Sequence, residues 1–131
     1  MNNAEMRSRL TLIGLSLKQL STITGWDYRE LRRTANGVRP VSPRTQEMIE
    51  RLEAMADEDL ATMQATTDEG NSVVIPHFSD EGQAPYFANG GVMPGSYWHA
   101  LAGALLATNE AAAVIYDAAE TDNDREITEH V

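Results

Sequence analysis

Apolar residues recur at three- and four-residue spacing in five stretches of the chain, and gather as short β-branched runs in two others. Met6, Leu10 and Ile13 predict a first helix from about Ala4 to Ile13. Leu17, Leu20 and Ile23 predict a second, with Ser16 as its N-cap and Gly25 as its stop, since glycine turns the chain out of a helix without a Cβ clash. Asp27 and Glu30 stand at capping-box spacing and predict a third helix from Tyr28 to Ala35, closed by Asn36-Gly37, with Leu31 and Thr34 facing the second helix. After the extended Val38-Arg39-Pro40-Val41, Ser42-Pro43 reads as an N-cap and first turn. Met48, Ile49, Leu52, Met55, Ala56, Leu60 and Met63 then carry a helix to about Ala65. Its first half is expected to close the N-terminal core and its second, methionine-rich half to reach a second subunit. A break at Asp57-Glu58-Asp59 into two helices is the alternative, and those three acids read as a solvated face or a helix start either way.

The second half of the chain has weaker periodicity. Thr66 to Asn71 reads as a linker, and Ser72 to Ile75 as an edge-type strand halted by Pro76. His77 to Gly95 reads as loop, anchored by Phe78, Tyr86 and Phe87, with Asn89-Gly90-Gly91 a plain turn because it lacks the lysine of a nucleotide-binding loop. Ser96 is expected to cap a helix to about Thr108 that packs through Tyr97, Leu101 and Leu105, and its small residues Ala100, Gly103, Ala104 and Ala107 suit a dimer interface. Ala112 to Tyr116 reads as a second strand, able to pair with residues 72–76 of the same or a partner chain. The expected organisation is a four-helix unit at 1–65, a linker at 66–71, a small α+β dimerisation region at 72–117 using Tyr97, Leu101, Leu105 and Ile115, and an acidic, frayed tail at 118–131.

Composition bounds the function. With 131 residues and 42% apolar content the chain is globular, and with no cysteine it has neither disulfides nor thiolate chemistry. No stretch approaches the roughly 20 apolar residues of a membrane span and the first ten residues lack a signal core, so a cytoplasmic protein without membrane contact is expected. The net charge of −10 hides two unlike halves. Residues 1–44 hold eight Lys or Arg against three carboxylates, a net of +5, and the remainder holds two against seventeen, a net of −15. Such an acidic rear either turns the basic part toward a polyanion or serves solubility alone.

The densest positive charge lies on the third helix. Arg29, Arg32 and Arg33 recur at i, i+3 and i+4 and share a face opposite Leu31. A guanidinium pairs bidentately with guanine O6 and N7 or with phosphate oxygens, as an ammonium cannot. Tyr28, Arg29, Arg32 and Arg33 are therefore the candidates for contact with base edges of double-stranded DNA, and Ser16, Lys18, Arg39 and Arg44 for contact with its backbone. Arg7 and Arg9, flanking the buried stripe of the first helix, are further phosphate candidates. A solvated arginine face on an ordinary helical hairpin is the bland alternative.

On these residues the chain resembles a Cro/phage-repressor (Xre-type) DNA-binding domain over residues 5–60. Ser16, Leu20 with Ser21, Gly25, Trp26, Leu31 and Asn36-Gly37 match its helix-turn-helix pattern. The whole chain is similar to the small YdiL-like and anti-CRISPR-associated (Aca-type) regulators, through MNNAEMRSRL and the turn from Gly37 to Pro43. The resemblance implies a mainly α fold, a lambda-repressor-like helix-turn-helix bundle followed by the small dimerisation region, and a homodimeric regulator, expected to be a repressor, that reads an inverted repeat. Two positions depart from the family. Where many members bury an arginine–glutamate pair, this chain has Leu10 and Ala35, which leaves no orphan charge. Leu17 stands where a glutamine often clamps the DNA backbone.

Two other classes of function fit the same residues. An antitoxin or adaptor would use the C-terminal region to hold another protein, and a basic helix also fits structured RNA. His77 and His99 near Asp80 and Glu81 could in principle bind zinc, but no metal-ligand spacing or catalytic order is present, so no enzyme, cofactor or metal is expected.

Overall fold

Asn2 opens the first helix: its side chain accepts from the Glu5 amide at 2.8 Å while the Glu5 carboxylate accepts from the Asn2 amide at 3.1 Å. The structure is a computed structural model and describes residues 1–75, 83–85 and 92–116. Five helices follow in chain order, α1 (Asn3–Leu12), α2 (Leu17–Thr24), α3 (Tyr28–Ala35), α4 (Pro43–Asp68) and α5 (Gly95–Thr108). Four three-residue strands accompany them, β1 (Val73–Ile75), β2 (Gln83–Pro85), β3 (Val92–Pro94) and β4 (Val114–Tyr116). The fold is mainly helical, and no helix among the described residues is long and apolar enough to cross a membrane.

Each of the first four helices starts on a polar side chain that accepts from an otherwise unpartnered amide: Asn2, Ser16, Asp27 and Ser42. Gly25 ends α2 at φ +75°, the left-handed conformation its place in the sequence predicts. The turn after it is braced on both sides, because the Ser21 hydroxyl donates to the Trp26 carbonyl at 2.6 Å and the Trp26 amide donates to the Thr24 hydroxyl at 3.1 Å. Met6, Leu10 and Ile13 of the α1 stripe are buried, as are Leu20, Leu31 and Ala35, so α1, α2 and α3 close one apolar centre. Leu10 and Ala35 are both buried in that centre as apolar groups.

α4 is a single helix, without a break at residues 57–59. Asp57 and Glu58 are exposed, but Asp59 is fully buried and accepts from the Tyr97 hydroxyl at 2.6 Å, which corrects its assignment to a solvated face. The helix also takes in Thr66 to Asp68, so the expected linker shrinks to a turn at Glu69–Ser72. The second half of α4 turns inward: Met63 is fully buried, Met55 and Leu60 pack against the core, and α5 and β1 lie on this part of the chain.

β1 and β4 pair in parallel, with Val73 against Val114, Val74 against Ile115 and Ile75 against Tyr116 in the same chain. Val73 and Ile75 point into the core while Val74 and Ile115 point out. Part of the expected loop between His77 and Gly95 is also paired, β2 with β3 in antiparallel register. His77, Phe78, Asp80, Glu81, Tyr86, Phe87, Asn89, Gly90, Gly91 and the acidic stretch from Ala118 lie outside the described residues.

One cluster of buried side chains runs from Met6 to Leu105, so the two halves share a core rather than forming separate units. Tyr97, Leu101 and Leu105 belong to it with at most 5% exposure. They are not available to a partner subunit, which overturns their assignment to a dimer interface; Ile115, 50% exposed, remains on the surface. Ser96 does not cap α5 either. Pro94 occupies that position, and the Ser96 hydroxyl donates instead to Gln19 Oε1 on α2 at 3.3 Å.

Candidate nucleic-acid interface

α3 divides along its length. Leu31 and Ala35 are buried against α1 and α2, while Tyr28, Arg29, Arg32 and Arg33 are all exposed, Tyr28 to 43%. Asp27 fixes the start of this rod by accepting from the amides of Arg29 at 2.8 Å and Glu30 at 3.2 Å. Glu30 does not complete the expected reciprocal cap. Its carboxylate pairs with Arg39 and lies 3.8 Å from Arg33, so it draws on two of the candidate cations. Arg29 and Arg32 make no ion pair among the described residues.

The far end of α3 is held by a contact that no local spacing announces. The Asn3 side-chain amide donates to the carbonyls of Thr34 and Arg39, satisfying part of the open carbonyl end of the helix from thirty residues away in sequence. Arg7 of α1 reaches the same end and donates to Asn36 Oδ1 at 3.0 Å. Arg9 is turned elsewhere. Its guanidinium donates to Glu53 Oε2 of α4 at 2.9 Å in a two-pronged pair, and this hydrogen bond holds its pKa above the ordinary arginine value. Arg9 is thus a strut between helices, and its assignment as a phosphate candidate is corrected.

The positions proposed for backbone contact fall into two groups. Ser16 and Lys18 are exposed at the start of α2, where Ser16 Oγ accepts from the Gln19 amide at 3.1 Å and the Ser16 amide donates to Gln19 Oε1 at 2.9 Å. They line an open hollow of about 310 Å³ together with Arg7 and Tyr28, so side chains from three helices converge on one concave spot. On the other side of α3, Arg44 lies over the Trp26 ring at 4.3 Å from its centroid and Arg39 is tied to Glu30. Both remain exposed, but each already has an internal partner.

Compared with known proteins, the chain matches no family model and no curated protein sequence. Two guanidinium groups without an ion-pair partner among the described residues, on a capped, packed helix and flanked by an exposed lysine and a phenol, form a donor-rich surface suited to an anionic partner with flat, hydrogen-bonding edges. Among the described residues no three His, Cys, Asp or Glu side chains gather as a metal site.

Sequence reading missed Asn3, Gln19 and Asp59 as structural ties. Asn3 and Gln19 read as ordinary polar residues of a first turn, and Asp59 sits within a run of acids. Only the placement of Asp59 on the apolar side of α4, three residues after Ala56 and four before Met63, carried a signal in the sequence.

Proposed function

We propose that this protein is a sequence-specific regulator that binds duplex DNA through a helix-turn-helix formed by α2 and α3, in a lambda-repressor-like arrangement with α1 and the first half of α4. α3 is the element that enters the major groove. Arg29 and Arg32 read base edges, Tyr28 and Arg33 lie beside them, and Ser16 and Lys18 hold the phosphate backbone. The observation that carries this reading is the division of α3: its apolar side is locked into the core while two guanidinium groups on its other side have no carboxylate partner among the described residues. Arg39 and Arg44, already engaged by Glu30 and Trp26, take the lesser part of flanking phosphate contacts. The working form is a cytoplasmic homodimer acting as a repressor, with half-sites roughly 34 Å apart. Its pairing surface excludes Tyr97, Leu101 and Leu105.

Selection of bound duplexes from a random pool, with structured RNA as competitor, tests the proposal. An enriched inverted repeat that RNA does not displace supports it. Recovery of no sequence preference, or displacement by RNA at equal mass, refutes specific duplex recognition.

A further inference from the structure

β1 and β4 form a sheet of two parallel strands, and among the described residues no third strand lies beside either. Parallel strands ordinarily have both faces covered, and a two-stranded sheet gains little on its own. Here one face meets the core through Val73 and Ile75, while Val74 and Ile115, partners in register, are 48% and 50% exposed on the other. A solvated sheet face carries polar side chains at such positions, but this one carries two β-branched apolar ones.

The backbone distinguishes the edges. The Val73 amide donates to the Ala113 carbonyl at 2.8 Å, so Ala113 and Ile115 turn their backbone polar groups toward β1, and Val114 turns its amide and carbonyl outward. No charged residue or proline blunts β4, whose sequence is Val-Ile-Tyr, whereas β1 is followed in sequence by Pro76.

Charge selects the partner. The sequence has no Lys or Arg between Arg51 and Arg125. Because the strands are parallel, the segments leading into them arrive at the same end of the sheet, and Glu69 and Glu110 each stand four residues ahead of the register-paired Val73 and Val114. With Asp68 they give that end three exposed carboxylates, none in an ion pair among the described residues. A second copy of the chain set against this edge would bring like charges together, whereas a cationic segment would bring opposite ones.

We propose that the outer edge of β4 receives a short extended segment of another protein, with apolar side chains at alternate positions beside Ile115 and Lys or Arg at the end that meets Glu69 and Glu110. The added strand takes up the Val114 amide and carbonyl and covers the bare apolar face, and the carboxylates select its charge. The site uses none of the residues assigned to DNA and stands apart from that reading.

The probe is an amide-capped peptide, Lys-Arg-Val-Thr-Val-Thr-Val-Arg-Lys, added to the full isotope-labelled chain. In the chain alone the Val114 amide is expected to exchange with solvent at least about tenfold faster than that of Val73, which its bond to Ala113 protects. Saturating peptide is expected to slow Val114 exchange by at least about tenfold and to shift the Val114 and Ile115 resonances. A peptide with Glu in place of every cation should bind at least about tenfold more weakly, and the Glu69→Gln, Glu110→Gln double variant should narrow that gap to about threefold or less. Proline in place of the middle valine removes a ladder bond and should abolish the shifts. Val114 protection equal to that of Val73 in the chain alone overturns the proposal, and its disappearance on dilution would make a second copy the occupant. Equal affinity for the two charged peptides, or shifts confined to α1, α2 and α3, overturns it as well.

Discussion

The first four helices and the region from β1 to β4 are built by different means. In the former, each helix begins on a side chain that accepts from an amide two or three residues ahead, so its boundaries are written locally. In the latter, strands are three residues long, α5 begins on Pro94 without a side-chain cap, and β1 finds its partner forty residues downstream. A parallel pair needs a crossover before it gains anything, and α5 with its flanking strands is that crossover. Local rules therefore define the helix that presents the arginines, and tertiary packing defines what stands behind it.

The junction between the regions is the place to break this comparison. Gly14, in the turn between α1 and α2, has φ +76°, and a Cβ there would lie 2.2 Å from the Ser96 carbonyl oxygen and 2.9 Å from the Ala100 side chain. Gly25 has nearly the same φ, +75°, but open space around it. Gly14→Ala is expected to cost on the order of 3 kcal/mol or more in urea unfolding, combining strain with a backbone clash. Gly25→Ala should cost about 1 kcal/mol, from conformation alone. Equal midpoints for the two variants would mean that α5 does not rest on the α1–α2 turn.

Tyr97→Phe probes the same union from inside. Removing the hydroxyl takes a donor from the buried Asp59 carboxylate, at an expected cost of about 1–3 kcal/mol, read from the denaturation midpoint. Exposed Ile115, by contrast, should tolerate Ile115→Ser within about 0.5 kcal/mol as a monomer. For the proposed dimer, its loss in sedimentation of that variant would assign Ile115 to the pairing surface; an unchanged dimer would move that surface elsewhere.

The helical half was legible in the sequence because caps, glycine turns and apolar spacing agree there. Ser16, Gly25, Asp27 and Ser42 each do in the structure what their positions predict. The two strands at 72–76 and 112–116 were legible as elements, and their partnership within one chain was open until the fold placed them together. What composition misread was allegiance. Tyr97, Leu101 and Leu105 have the same apolar pattern whether they cover a partner subunit or their own α4, and only the fold distinguishes the two. Glu30 was misread for a related reason: its spacing from Asp27 fits a reciprocal cap, but Arg39, brought back by the turn at Asn36-Gly37, offers its carboxylate a charged partner.

The smallest effect on folding and the most direct test coincide in α3. Arg29→Ala and Arg32→Ala remove exposed groups with no ion-pair partner among the described residues, so each should change unfolding free energy by less than about 0.5 kcal/mol. On the selected operator each should cost about 1–3 kcal/mol in affinity at fixed salt and relax preference at one base position per half-site. Mobility-shift titrations of both variants on the operator and on single-base substitutions decide the matter. Reduced affinity with lost discrimination at one position is the predicted result; affinity and base preference equal to those of the natural chain would contradict the assignment of α3 to the major groove.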